Sequence, residues 1–351
     1  MIKILVFRVT LCILIVSISL VLIFCFAPLP NSKKNGFTRT FFSFTLKKDK
    51  QSILPLEATK ISGSTLNRYY LTGLNPAWVL VLDSILNPID TIVFGVRQTE
   101  RFLTPNTTID SPYIYMYAGN LSYLIKGNIN ESTITPIKLQ TEVFLRSVQI
   151  SNHLLIIRGF NKLKKQVFKQ VDCNNGLILK EAQILDDDNT LGLSTDGYLY
   201  YDTTTNKIIY VQSYRNSFLC LDTNLNIIYR GKTIDTVSHF SLNLHKESGK
   251  SEFKITSATN RIQSNLISTV SDGKLFVASA LKADNEKIVN FSKNFPIDVY
   301  AITNGEYLGT FYIPRLEKKK ILSMSITKKN LLILYPGNEL ISFHIPDIPQ
   351  K

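Results

Sequence analysis

Four times between residues 150 and 334, a polar turn opens directly onto an apolar strand. The segments are Ile150-Ser151-Asn152-His153-Leu154-Leu155-Ile156-Ile157, Thr195-Asp196-Gly197-Tyr198-Leu199-Tyr200-Tyr201, Ser271-Asp272-Gly273-Lys274-Leu275-Phe276-Val277 and Thr327-Lys328-Lys329-Asn330-Leu331-Leu332-Ile333-Leu334. Each places Gly or Asn where a tight turn needs positive φ, and the strand follows at once. With Asn152, Gly197, Gly273 and Asn330 taken as equivalent, the separations are 45, 76 and 57 residues. A second turn follows several of them: Asp172-Cys173-Asn174-Asn175-Gly176, Asp222-Thr223-Asn224-Leu225-Asn226, and a third version at Asn304-Gly305. The repeating unit is therefore strand, turn, strand, Asp/Asn turn, strand, and a chain built this way folds as an array of like sheets.

Beyond the extreme N-terminus no stretch sustains an apolar 3.6 period with helix caps, so the rest reads as all-β. A unit of this kind, at a period near 45, resembles the four-stranded blade of a β-propeller, specifically the six-bladed TolB-like and NHL-like superfamily. The resemblance implies blades over residues 60 to 100, 108 to 141, 143 to 185, 190 to 232, 253 to 313 and 318 to 347, with an insertion across 233 to 260. Seven blades remain compatible with the length. The last blade is a strand short, so a strand around residues 53 to 61 is expected to complete it and close the ring. No terminal Trp-Asp or repeated Tyr-Trp-Thr-Asp signature occurs, and a pair of β-sandwiches or an irregular β-solenoid is the structural alternative.

The first residues follow different rules. Residues 9 to 27 hold no charge, and as a helix they would extend about 28 Å, close to the ~30 Å hydrocarbon thickness of a bilayer. Pro28 and Pro30 would end such a helix. A cleaved signal peptide would have a shorter apolar region and a small-residue cleavage site, whereas the only cut here, after Ala27, would leave proline next. Phe24 stands where a lipoprotein site before Cys25 needs a small residue. The segment reads as a single transmembrane helix that anchors the chain through residues 9-27. The domains expected are 1-30, the anchor or signal peptide; 31-52, a linker; and 53-351, the propeller. Lys3 and Arg8 on one side face Lys33, Lys34 and Arg39 on the other, so charge counting leaves the orientation open. An extracytoplasmic domain, periplasmic or at the cell surface, is the expectation adopted.

The whole chain carries a formal charge of +13, with 44% apolar and 11% aromatic residues, which excludes a disordered chain. Its basic residues are dispersed pairs and triples such as Lys47-Lys48 and Lys318-Lys319-Lys320, not a stripe with interleaved aromatics, so no nucleic-acid partner is expected. Of four cysteines, Cys12 and Cys25 lie in the apolar segment. Cys173 and Cys220 show no metal or redox spacing, and whether they pair is open.

Candidate chemistry is sparse. His239 and His245 would share a face if they lie on one strand, but lack a third ligand of matching character, and His153 and His344 stand apart. Asp186-Asp187-Asp188-Asn189 could offer oxygens to calcium, yet it lacks the Asp-x-Asp-x-Asp-Gly pattern and reads more simply as a solvated loop. No Gly-x-Ser-x-Gly elbow, activated Cys or phosphate loop is present. Trp78, Tyr69, Tyr70, Tyr113, Tyr115, Tyr117, Tyr198, Tyr200 and Tyr201 could line a binding surface, although blade packing uses the same residues. No catalytic residue, metal site or cofactor is assigned. The reading is a membrane-anchored binding or scaffold module of the cell envelope, meeting an envelope protein or small ligand at the propeller mouth. An enzyme at the channel mouth would need buried Asp, Glu or His clustered there. An adhesion or assembly component would show exposed aromatic patches on a blade side.

Overall fold

The structure is a computed structural model describing residues 2–26, 34–95, 105–118, 121, 123–140, 144–185, 192–240, 242–246, 253–258, 263–316, 319–327 and 329–349, with the side chains of 2–6, 23–26, 242–246 and 253–258 excepted. It divides into two units, Met1–Asn35 and Gly36–Lys351. The first contains a helix, Ile2–Phe26, whose sequence is uncharged after Arg8. Its described side chains, residues 7–22, are all exposed. That described stretch is shorter than the expected span of residues 9 to 27. Among the described residues no helix is long and apolar enough to cross a membrane, so the expected transmembrane span is not established by them.

The second unit is a six-bladed β-propeller. Blade 1 is built from strands Lys60–Ser64, Arg68–Thr72, Trp78–Asp83 and Pro88–Val93. Blade 2 uses Pro105–Asp110, Tyr113–Ala118, Tyr123–Asn128 and Thr133–Lys138. Blade 3 uses Phe144–Gln149, Leu154–Phe160, Gln166–Asp172 and Ile178–Ala182, and blade 4 uses Gly197–Asp202, Lys207–Gln212, Phe218–Leu221 and Ile227–Gly231. Blade 5 uses Asn265–Ser271, Lys274–Ser279, Asn294–Ala301 and Tyr307–Pro314. Blade 6 takes three strands from the C-terminus, Ser323–Thr327, Asn330–Tyr335 and Glu339–His344. Its outermost strand is Lys47–Ile53, antiparallel to Glu339–His344 with Gln51 opposite Ile341.

The ring closure is thus the device expected, displaced along the chain. Residues 60 to 64 do not complete blade 6; they are the innermost strand of blade 1. Alternation explains the difference, because Lys47-Lys48-Asp49-Lys50 suits an outermost strand facing solvent and is silent to a search for apolar runs. The insertion between blades 4 and 5 carries a hairpin, Leu242–Lys246 with Phe253–Ala258. Gly197 is not a first turn, since it begins the innermost strand of blade 4. The true equivalent is the turn after Asp202, where Asn206 takes φ of 57°.

The second turn repeats more faithfully. In blades 1 and 3 the third strand ends on Asp83 or Asp172, and in blade 4 Asp222 directly follows it; each carboxylate accepts backbone N–H groups of the turn: Ile85 and Asn87 at 3.0 and 2.8 Å, Asn174 at 2.8 Å, and Asn226 at 2.8 Å. Leu86, Gly176 and Leu225 then reverse the chain at positive φ. The side chain replaces water for amides that the hairpin leaves unpaired.

Packing shows why the strands are continuous apolar runs. Six buried clusters bridge six successive blade pairs: Tyr70 and Val81 with Ile114 and Met116, Tyr115 and Tyr117 with Leu155 and Ile157, Ile156 and Phe168 with Ile208 and Tyr210, Val211 and Phe218 with Val277 and Tyr300, Phe276 and Phe311 with Ile333 and Phe343, and finally Leu332 and Leu334 with Leu71 and Leu80. Middle strands are covered on both faces and outermost ones face water.

Upstream of the closing strand, the chain is riveted to blade 5. Phe42 N–H donates to Thr310 C=O at 2.9 Å and Thr310 N–H to Thr40 C=O at 2.8 Å. Arg39, counted from sequence among the charges flanking the helix, has a fully buried guanidinium. It grips Asp298 through Nε and Nη2 at 2.8 and 3.0 Å, and Nη1 donates to Leu281 C=O at 2.9 Å and to Glu286. Burial alone would depress the guanidinium pKa, but Asp298 and Glu286 outweigh it and raise the value. Tyr312 donates to the other Glu286 oxygen at 2.6 Å, so both carboxylates are saturated. Arg39→Gln leaves two buried carboxylates short of a cation, and urea denaturation is expected to show a loss of about 3–5 kcal/mol; a loss below about 1 kcal/mol would mean that the clasp contributes little.

Candidate functional site

The innermost strands of all six blades start at the same mouth of the ring, because contacts between neighbours align start with start and end with end. Ile61 N–H donates to Ser323 Oγ at 3.1 Å, Lys60 meets Asn106, and the Tyr198 hydroxyl donates to Leu266 C=O at 2.5 Å. At the far end Ser64 Oγ and Thr327 Oγ1 lie 2.8 Å apart. Charge is sorted along that direction. Lys60 opens its strand and Arg146 is third in its own, whereas Asp110 and Asp202 close theirs. The start mouth receives the basic groups of the innermost strands and the end mouth the acidic ones.

A collar of polar side chains links blade to blade around the start mouth. Lys60 Nζ donates to Asn106 Oδ1 and, at 2.8 Å, to Thr107 C=O. Asn106 Nδ2 donates to Ser147 Oγ at 3.3 Å. Arg146 Nε donates to Gly197 C=O at 2.5 Å, and its Nη2 to Asp196 Oδ2 at 2.6 Å. Tyr198 also accepts from Gln263 Nε2 at 3.2 Å, and Tyr200 lies beside Ser268. Burial pushes both tyrosine hydroxyls up, so they stay neutral donors.

Asp196 has a second cation. Arg158, fully buried, reaches its Oδ1 at 3.3 Å, donates to Gly192 C=O at 3.0 Å and Thr195 Oγ1 at 3.1 Å, and lies 5.4 Å over the Tyr210 ring. This arginine pins the loop that enters blade 4. Among the described residues Asp196 therefore takes both Arg146 and Arg158. Lys60 itself has no carboxylate within ion-pair distance among the described residues, and burial lowers its amine to about 8. Donors and positive charge can hold a ligand.

The sequence candidates fall elsewhere. His239 is exposed and precedes the strand Leu242–Lys246 that contains His245, so the two do not share a strand; the His245 side chain lies outside the described residues. His153 and His344 are exposed, and His153 Nδ1 sits 2.9 Å from Asn174 Nδ2. Asp186-Asp187-Asp188-Asn189 lies outside the described residues. No group of three metal-ligating side chains occurs among the described ones. Cys173 and Cys220 are buried in different blades and unpaired. Burial pushes Cys173 up to about 11 and raises Cys220 as well, which keeps both as unreactive thiols. Tyr69, Tyr70, Tyr115 and Tyr117 pack in the core and Trp78 packs against it. Tyr113 stays exposed beneath Lys126, 5.5 Å from its ring, in a hollow of about 320 Å³ at the end-mouth face. Of that set Tyr198 and Tyr200 belong to the collar, and the buried Tyr117 hydroxyl reaches its Ser147. Lys60 and Arg146 went unread because one basic residue per strand carries no pattern until the ring aligns the strands, and Asp196 was read only as part of a turn.

The lowered amine has a measurable consequence. Between about 8 in the folded chain and 10.5 in the unfolded one, the unfolded state binds the extra proton, so stability rises with pH across that window. Below it the folded state carries the full cost of a desolvated charge. Lys60→Met removes that cost and is expected to be more stable than wild type at pH 7, by at most about 3 kcal/mol, with the gap closing towards pH 10. Urea titrations at both pH values check it; a gap that does not change with pH would contradict it.

No protein-family model matches the chain, and no curated protein matches it in sequence. Similarity appears in solved structures. A member of the DUF4221 family from Bacteroides vulgatus matches with a TM-score of 0.55 at 14% identity, over 89% of this chain and 98% of that one. A Bacteroides fragilis protein described as exported matches with a TM-score of 0.55 at 12% identity, over 88% and 98%. Virginiamycin B lyase from Staphylococcus aureus matches with a TM-score of 0.51 at 9% identity, over 85% and 99%. At these identities the likeness is one of fold, and it agrees with the blade count: the chain is a six-bladed β-propeller.

Proposed function

We propose that this chain is a binding or scaffold module of the cell envelope, anchored by its N-terminal helix with the propeller outside the cytoplasm. The observation that carries the binding role is the collar at the start mouth, a set of polar side chains, Lys60, Asn106, Ser147, Arg146 and Tyr198, gathered from four blades. A closed ring holds such groups in place without the entropy cost of ordering loops on binding.

The anchor rests on the helix itself. Its backbone runs 25 residues, Ile2–Phe26, about 37 Å at 1.5 Å per residue, and its sequence is uncharged after Arg8. Such a helix is at home in hydrocarbon. One of the fold neighbours is described as exported, which supports the same side of the membrane for this domain. The domain reading follows: an anchor over 1-30, and a propeller whose closing segment begins within the expected linker.

The enzyme alternative asked for clustered Asp, Glu or His at a mouth; at the collar Asp196 is shared by two arginines, and Asp110 and Asp202 stand on separate strands at the other end. The assembly alternative has one observation in its favour: Leu177 and Leu179 on blade 3, and Ile227 and Ile228 on blade 4, stand exposed along neighbouring rims. They are aliphatic, not aromatic, and would suit a protein partner along the blade edge.

Protease treatment of intact spheroplasts, with membranes then washed in alkaline carbonate, tests the proposal. The propeller is expected to be cut from outside while the undigested chain stays in the membrane pellet. Protection of the domain until lysis, or its release by carbonate, would contradict the topology or the anchor respectively.

A further inference from the structure

We propose that a hollow between blades 5 and 6, on the face opposite the collar, binds a small zwitterion with an apolar side group, an α-amino acid of the leucine or phenylalanine kind. This site goes beyond the binding role given above and depends on neither the collar nor the anchor. The hollow measures about 220 Å³ and lies where the hairpin joining Asn265–Ser271 to Lys274–Ser279 meets blade 6 and the C-terminal tail. Its floor is Phe276, Ile326, Ile345 and Ile348, which belong to or pack against the buried cluster shared by the two blades. The tail is held as a wall, because Ile345 N–H donates to Lys329 C=O at 2.7 Å and Lys329 Nζ to Asp347 Oδ2 at 2.8 Å.

Four charged side chains line the hollow, two of each sign: Asp272, Lys274, Lys329 and Asp347. Lys329 and Asp347 satisfy each other; Lys329, with Lys274 and His344 adding to it, holds the Asp347 carboxyl below the usual carboxylate range. The other two are left over. Among the described residues neither the Asp272 carboxylate nor the Lys274 ammonium has a hydrogen-bond or ion-pair partner. Their places are nevertheless set by the backbone. Asp272 and Gly273 form a two-residue turn with φ of 49° and 71°. Gly273 is gripped from both sides, its N–H donating to Asp202 Oδ1 at 3.3 Å and its C=O accepting from Ile302 N–H at 2.8 Å. Lys274 and Phe276, two apart on one strand, share a face, so the ammonium stands beside the apolar floor.

The chemistry of this lining selects the ligand. The volume falls between the ~150 Å³ that admits benzene and the roughly 300 Å³ at which drug-sized sites begin, which suits one branched or aromatic side group. A wholly apolar ligand would leave Asp272 and Lys274 unanswered, and a simple cation or anion would answer one of them. An α-amino acid carries an ammonium and a carboxylate on the carbon that bears its side group. Its ammonium donates to Asp272, its carboxylate accepts from Lys274, and its side group covers Phe276 and Ile326. Both polar contacts are charge-assisted hydrogen bonds, and the apolar contact removes hydrocarbon from water.

The test is calorimetric titration of the full chain in detergent micelles with L-leucine and, separately, L-phenylalanine. At least one is expected to bind at millimolar or lower concentration. For the unaltered chain, 4-methylpentanoate, which lacks the ammonium, and L-leucinamide, which lacks the carboxylate, are each expected to bind at least about tenfold more weakly than leucine. Asp272→Asn keeps a residue that tolerates the left-handed turn, and Lys274→Met keeps the aliphatic stem. Each is expected to weaken amino-acid binding at least about tenfold with the thermal midpoint within about 3 °C of wild type. Binding of neither amino acid would overturn the site, as would binding of either analogue as tightly as leucine, or binding indifferent to both substitutions. None of these outcomes bears on protease access or membrane retention, so failure here is separable from failure of the envelope reading.

Discussion

A four-stranded sheet that is apolar on both faces cannot stand alone in water, and this constraint governs the whole propeller. Each blade needs a neighbour on either side, which only a closed ring provides. The chain meets the condition at its weakest place, the junction of its two ends, by setting Lys47–Ile53 against Glu339–His344 and by packing Leu332, Leu334 and Leu340 onto blade 1. Without that strand, blade 6 would offer a bare edge and blade 1 a bare face. The Arg39 clasp makes the closure firm, because it fixes the segment before the closing strand to a different blade and does so with charges that tolerate no slippage.

The same geometry produces the candidate site. A ring brings six strand starts to one mouth and six strand ends to the other, so residues with no relation in sequence become neighbours. Lys60, Asn106, Ser147, Arg146 and Tyr198 come from four blades and form one collar. Hydrophobic contacts between blades supply the stability, which leaves the strand starts at this mouth free to carry polar groups whose value lies in placement.

What was legible in the sequence was local. Asp222-Thr223-Asn224-Leu225-Asn226 announced its turn because its side chain, its positive-φ position and its flanking strands are all within a few residues. The insertion before blade 5 and the count of six followed from spacing. Gly197 was misread, since a glycine before an apolar run looks the same whether it ends a turn or begins an innermost strand; here its carbonyl is needed by Arg146. The closing strand was placed too late because lysines on a solvent-facing edge carry no apolar signal. Arg39 was read only as a flanking charge, for its partners lie some 250 residues away and no local pattern reports them. Lys60 was invisible for the same reason.

Closure by the N-terminal segment is the claim on which the fold, the collar and its charge all rest. Native-state amide hydrogen exchange tests it most directly. If Lys47–Ile53 belongs to blade 6, its ladder amides open with the same free energy as those of Glu339–His344, and both approach the protection of the blade cores. Exchange of Lys47–Ile53 at the rate of an unstructured linker, with Glu339–His344 still protected, would show that the ring is closed in some other way.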